Sequence, residues 1–263
     1  MCGRYVSIQR IEAIEKIFDV QAPSDMEQFQ SYNISPGQKA AVITGDKPKE
    51  LQLYHFGFTP FWAKKPMYWF NARSEGDKNK ANDPSYKGSK AITEKPAFRK
   101  AIRSQRCLVV ADCFIEGTTV EKLSKPYVVY LKDRRPFAFA GIYDSWVNTE
   151  TGEILNSFAI ITTTANTLLQ KLPHHRSPVI LDKEEESTWL DHEAPIEEVT
   201  ALLNPYPSKL MNAYPISADI KNPRAEGVEL LNPTDQRLTK EYDYRIYEEM
   251  KLIGMKYSWE KWS

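Results

Sequence analysis

Cysteine is scarce in this chain, and neither sign of charge is in excess. Three cysteines, Cys2, Cys107 and Cys113, stand among 263 residues. Their number is odd and they form no CxxC pair, which argues against a disulfide scaffold and for a reducing cytoplasm. Only four histidines are present, with no ligand spacing to the cysteines, so neither zinc nor another cofactor is expected. Basic residues number 35 and acidic residues 35, with a sequence pI near 6.9. That balance excludes a protein held on polyanions by net charge, and any nucleic-acid site must be a local patch. No apolar run approaches the roughly 20 residues that span a bilayer. The first residues also lack the charged and apolar regions of a signal peptide. Internal repeats and low-complexity tracts are missing too.

The composition does supply a core. Hydrophobic residues make up 41% of the chain and six tryptophans are included, enough to exclude disorder as the main state. Ile8, Ile11, Ile14, Ile17 and Phe18 recur at helical spacing and predict an early helix. Beyond that helix the chain reads mostly as strand and turn. Residues 40–44, 51–58, 107–115, 127–131, 137–143 and 158–163 are short runs rich in β-branched and aromatic residues, bounded by Gly, Pro, Asn and charge. Residues 132–135 and 148–152 read as tight connections between antiparallel neighbours. Helices are predicted over 183–191, 196–203 and 240–254, the last with Tyr242, Ile246, Met250 and Ile253 on one apolar face. The polar stretch 76–90 reads as a long surface loop.

Cys2 is the most informative residue. Removal of Met1 would place a thiol and a free α-amine on it, and such a 1,2-aminothiol captures aldehydes. The amine has a reference pKa of about 7.7 to 8 and the thiol about 8.5, so both are partly nucleophilic near neutrality. The amine gives an imine, and closure by sulfur gives a five-membered thiazolidine. Gly3 permits close backbone packing, and Arg4 sets a permanent cation beside the thiol. A second residue is ordinarily a frayed terminus, so Cys2 alone decides nothing.

Other segments add chemistry. Residues 56–75 interleave aromatics, Trp62 among them, with Lys64, Lys65 and Arg73, a composition suited to stacking on unpaired bases while cations meet phosphates. An aromatic core strand with a lysine turn has the same composition. Asn71, Arg73 and Glu75 alternate, so along an extended strand they face one way. The apolar run 107–115 leads into Glu116, where partial desolvation would suit a carboxyl to proton transfer. A first exposed residue after a strand has the same pattern. His174, His175 and Arg176 sit in a proline-bounded loop that could supply an acid or base and an anion contact. Arg99, Lys100, Arg103 and Arg106 are the densest basic run, or else a solvated helix face.

Taken together in this order, Met1-Cys2-Gly3-Arg4-Tyr5, residues 32–37, Gly57 with Pro60 and Trp62, Asn71-Ala72-Arg73-Ser74-Glu75, residues 111–116 and residues 174–181 resemble the SOS response-associated peptidase (SRAP) family. The resemblance spans roughly residues 1–232, leaving 233–263 as a C-terminal helical extension packed on or trailing the same domain. It implies an α+β fold of antiparallel and mixed sheets curved into an open barrel with peripheral helices. It also implies a monomer that senses and shields abasic sites in single-stranded DNA through a covalent thiazolidine with Cys2, with possible self-reversal. Such a protein would work in the cytoplasm, at the nucleoid if bacterial. Carried over by position, the resemblance makes Cys2 the nucleophile and Asn71 the residue that places its amino terminus. Glu116 and His174 would assist proton transfer and sugar-ring opening. Arg4, Arg73 and Arg176 would hold phosphates, with Trp62 and Glu75 on the same DNA-binding surface, and Arg99 and Arg106 of the basic run would add to it the charge that the neutral pI lacks. The chain departs from the family pattern at Gly117, where an aromatic is usual, at His175, where Asp is usual, and at Ser177, where the residue is usually larger. Two other readings stay open: a cysteine peptidase acting on its own N-terminus, and a noncovalent single-stranded DNA binding module.

Overall fold

The computed structural model describes residues 3–26 and 29–241; Met1, Cys2 and the helix expected over 240–254 beyond Glu241 lie outside the described residues. In chain order the strands are β1 (Tyr5–Ser7), β2 (Ser31–Ile34), β3 (Lys39–Thr44), β4 (Lys47–Phe56), β5 (Asn71–Arg73), β6 (Arg106–Ala111), β7 (Cys113–Thr118), β8 (Lys122–Leu131), β9 (Phe137–Val147), β10 (Ile154–Thr164), β11 (Arg176–Pro178), β12 (Ile180–Leu181) and β13 (Met211–Pro215). The helices are α1 (Ile11–Phe18), α2 (Ala101–Ser104), α3 (Thr167–Lys171), α4 (Lys183–Leu190) and α5 (Ile196–Ala201). This is the α+β architecture expected. Strands β4, β3, β6, β9 and β10 pair in that order, and β10 pairs back to β4, so the curved sheet closes on itself. A second sheet, ordered β13-β8-β7-β1-β2, packs beside it.

Alternation explains why the barrel strands read as unbroken apolar runs. On β3, Ala40 and Val42 join one core cluster while Ala41 and Ile43 join another; on β6, Cys107 and Val109 face one way while Leu108 and Val110 face the other. The first cluster lies against the second sheet through Tyr5, Phe114 and Val129, and the other lies under α1, α4 and α5 through Ile14, Trp189 and Val199. Strands buried on both faces lose the polar half of the period-2 pattern. Trp189 is fully buried, and its indole N–H donates to the Cys107 carbonyl at 3.0 Å, docking α4 on β6.

Three local expectations change. Residues 107–115 are two strands, because Asp112 bends the chain from one sheet into the other. The turn at 132–135 joins β8 and β9, which belong to different sheets, whereas 148–152 does connect the antiparallel neighbours β9 and β10. The strand carrying Asn71 ends at Arg73, so Glu75 lies in a turn. Of the expected C-terminal extension, the described residues run along β13: the Thr234 N–H donates to the Pro215 carbonyl at 2.9 Å and the Leu238 N–H to the Ala213 carbonyl at 2.8 Å. No helix among the described residues is long and apolar enough to cross a membrane.

Candidate active site

The site begins with the bend at Asp112. Its carboxylate accepts the Ile8 N–H at 2.6 Å and the Gln9 side-chain amide at 2.8 Å, and its own N–H donates to the Val6 carbonyl at 2.8 Å. These bonds aim β7 back along β1, antiparallel, with Tyr5 opposite Phe114 and Val6 opposite Cys113. The Ile115 N–H donates to the Arg4 carbonyl at 2.9 Å, so the same register continues toward the chain start and sets Gly3 across from Glu116. Glu116 is therefore inside a strand, 3% exposed, rather than the first exposed residue after one.

His174 arrives from the other side. Asn166 caps α3 by accepting the Leu169 N–H at 3.0 Å, and the His174 N–H returns to the Leu169 carbonyl at 2.9 Å, which fixes the loop after the helix. The imidazole is 5% exposed, with Nδ1 2.7 Å from the Gly117 carbonyl and Nε2 3.4 Å from Glu116 Oε2. A carbonyl only accepts, so Nδ1 carries the proton and Nε2 of the neutral ring turns a lone pair toward Glu116. Burial pushes the Glu116 carboxyl up to about 7 and the His174 imidazole down to about 4. Near neutral pH the carboxyl is thus partly protonated, so a proton donor is kept in the cavity, beside an imidazole that is neutral.

Glu116 and His174 line a cavity of about 560 Å³ with Gly3, Arg4, Pro36, Phe70 and Arg73. Arg4 is set by Asn33, whose Oδ1 accepts its guanidinium at 2.7 Å; the Asn33 amide in turn donates to the carbonyls of Asn222 and Ala225 at 2.8 and 3.0 Å. Arg73 donates to Asn82 Oδ1 at 2.9 Å, which ties the 76–90 loop to the rim. Asn71 lies two residues earlier on the same face of β5, its Nδ2 donating to the Phe70 carbonyl at 3.0 Å. Gly117 follows Glu116 at a register shift between β7 and β8, where an added Cβ would fall 1.7 Å from the Lys122 carbonyl oxygen.

Other predicted residues lie elsewhere. Arg176 and Glu75 are both buried and grip one another through two bonds of 3.0 and 2.8 Å, with Arg176 also donating to the Thr162 carbonyl at 2.8 Å. Burial alone would raise the Glu75 carboxyl, but the Arg176 guanidinium holds it below its usual value. Arg106 is 1% exposed and donates to the carbonyls of Trp189, Ile102, Arg103 and Asp191. It braces α2 and α4 and presents no charge at the surface, so the expected basic run is not one face. Trp62 and Arg99 do meet, at a separate cavity of about 250 Å³ with Phe61 and Lys100. Phe61 and Trp62 are 52% and 50% exposed, and the Lys100 ammonium sits 4.1 Å over the Phe61 ring. A larger cavity, about 620 Å³, lies against α4, but its lysines are already paired, Lys49 with Asp19 and Lys183 with Glu186. Thr119, which lines the same cavity beside His174 and His175, carries no signal in the sequence, and Asn33 carries only its place in the 32–37 motif.

Residues 1–223 match the family model described as SOS response associated peptidase (SRAP). The chain is 34% identical over 238 residues to the abasic site processing protein YoqW of Bacillus subtilis, covering 88% of this chain and 99% of that protein. It is 26% identical over 240 residues to the abasic site processing protein YedK of Escherichia coli, covering 89% and 100% respectively. A crystal structure of a Bacteroides thetaiotaomicron protein superposes with a TM-score of 0.73 at 27% identity, over 89% of this chain and 100% of that one. The family match, the relatives and the superposed fold agree. This chain belongs to the SRAP family.

Proposed function

We propose that this protein processes abasic sites, sensing and shielding them in single-stranded DNA by a covalent, reversible crosslink through Cys2 after loss of Met1. Relatives named abasic site processing proteins support the substrate class. The observation that carries the reading is that Gly3, one peptide bond from Cys2, lines the same cavity as Glu116, His174, Arg4 and Arg73. An abasic deoxyribose is mostly a closed hemiacetal. Glu116 protonates the ring oxygen as the C1′–O4′ bond breaks, and the hydroxyl proton on O1′ passes to a base, His174, to leave an aldehyde. The Cys2 amine then adds to C1′ and water leaves, giving an imine. Sulfur closes onto the same carbon while the nitrogen takes up the thiol proton, giving the thiazolidine. Asn71 orients the amine, and Arg4 and Arg73 hold flanking phosphates. Arg176 with Glu75 supports that surface from beneath, and Trp62 with Phe61 offers faces on which an unpaired base stacks.

The test combines intact mass with crosslinking. Purified protein should lack Met1 and should form a denaturation-resistant adduct with a single-stranded oligonucleotide bearing one abasic site. Cys2→Ser should bind the same DNA without a stable adduct, because the imine alone hydrolyses. A stable adduct of normal yield from Cys2→Ser would remove the thiazolidine from the account.

A further inference from the structure

Two cavities meet at one pair of rings. The 560 Å³ reaction cavity and a smaller one of about 220 Å³, lined by Asn82, Pro84, Gln170 and Pro173, share Thr119, His174 and His175. These three residues are the partition between them. The two imidazoles are stacked, with centroids 5.1 Å apart and planes 15° from parallel. Both are fixed to the end of β7 and the residue that follows it. His174 Nδ1 donates to the Gly117 carbonyl, and His175 Nδ1 lies 3.0 Å from the Thr119 hydroxyl. That hydroxyl is 2.8 Å from the Pro173 carbonyl and gives its proton there, so toward His175 it accepts and Nδ1 carries the hydrogen.

We propose that His175 is a positioning residue: anchored by Thr119, its ring clamps the His174 imidazole with Nε2 directed at Glu116 and closes the reaction cavity to water from its smaller neighbour. The proposal rests on the function argued above and deepens it. When His174 takes a proton during sugar-ring opening, a neutral ring at its face steadies the imidazolium without adding charge. The groups around His174 make that neutrality matter. Among the described residues Glu116 of β7 is the only acid on the cavity wall, whereas Arg4, Arg73 and Lys122 line it and Arg176 follows on β11. A second cation at 175 would oppose proton uptake by His174. Burial and the neighbouring His174 ring keep His175 neutral near pH 7, holding it down to about 4.

Three variants of the full chain test this: His175→Ala removes the ring, His175→Phe keeps the stack without the hydroxyl bond, and Thr119→Val removes the anchor together with the hydroxyl's own bond to the Pro173 carbonyl. Single-turnover adduct formation is followed against pH, and the His174 side chain is titrated by NMR in the DNA-free protein. His175→Ala should slow capture about tenfold at unchanged DNA affinity, the scale expected for a misplaced proton-transfer group. It should also raise the His174 titration midpoint by about half a pH unit or more as water reaches the ring. His175→Phe should recover most of both, and Thr119→Val should fall between. An unchanged pH profile and midpoint in His175→Ala would overturn the proposal. Should the wild type form no adduct, the proposed function fails and the titration alone decides: a midpoint that moves in His175→Ala and returns in His175→Phe upholds the clamp, and one that stays put refutes it.

Discussion

Glu75 and Arg176 are joined by two parallel hydrogen bonds, 3.0 and 2.8 Å, in a place from which solvent is excluded. The pair stitches the turn after β5 to β11, and both segments flank β10. Removing one partner strands the other charge, so Arg176→Ala and Glu75→Ala should each cost about 3–5 kcal/mol. The double replacement Glu75→Leu with Arg176→Met should recover much of that loss. Urea unfolding of the four proteins measures it, and a double variant as unstable as the worse single one would show that the pair does not act as a unit.

Arg73 and Arg106 make a contrasting pair. Arg73 lines the 560 Å³ cavity, while the Arg106 donors are taken by backbone carbonyls. Arg73→Ala should weaken DNA binding and reduce the salt slope by about one. Arg106→Ala should instead lower stability, by about 1–3 kcal/mol for the carbonyls left without donors, and leave the slope unchanged. Equal slopes for wild type and Arg73→Ala would take Arg73 off the DNA surface.

Gly117 admits no side chain. The Lys122 carbonyl oxygen occupies the place of its Cβ, 1.7 Å away. Gly117→Ala must open the β7–β8 bulge, moving Glu116 and the carbonyl that holds His174. Capture should fall by at least about tenfold, with a stability loss of about 1–3 kcal/mol. An alanine variant with wild-type capture and melting would show that the bulge moves without disturbing Glu116.

The sequence patterns found most of the elements because their signals were local. Spacing of Ile11, Ile14 and Phe18 marked α1, and the polar turn at 148–152 marked the β9–β10 hairpin. The bend at Asp112 left no break in hydrophobicity, because Val110, Cys113 and Ile115 are all buried, in different sheets. Arg106 looked like part of a basic patch for a related reason: nothing in a run of arginines tells which one meets four carbonyls. Asn71 and Arg73 kept the shared face that alternation gave them, whereas Glu75 left it when the strand ended. Glu116 and His174, distant in sequence, were joined only by resemblance, and their tautomer needed the Gly117 carbonyl.

The Glu116–His174 pair also makes a prediction about stability that is independent of DNA. The Glu116 pKa is raised from 4.5 to about 7, so between those values the folded state binds more protons than the unfolded chain, and this contribution to stability falls as pH rises. The His174 pKa is lowered from 6.5 to about 4, so across that window the unfolded chain binds more protons, and this contribution grows as pH rises. From about pH 4.5 to 6.5 the two oppose one another, each on the order of 3 kcal/mol over its full range. The wild type should therefore show little net dependence from this pair until Glu116 alone titrates near neutrality. Glu116→Gln leaves the histidine contribution, and its stability relative to wild type should rise with pH through this window. His174→Asn leaves the carboxyl contribution, and its relative stability should fall. Urea unfolding at closely spaced pH values reads both slopes. If the two difference curves ran parallel, the carboxyl and the imidazole would not be shifted in opposite directions, and the division of roles between acid and base would have to be given up.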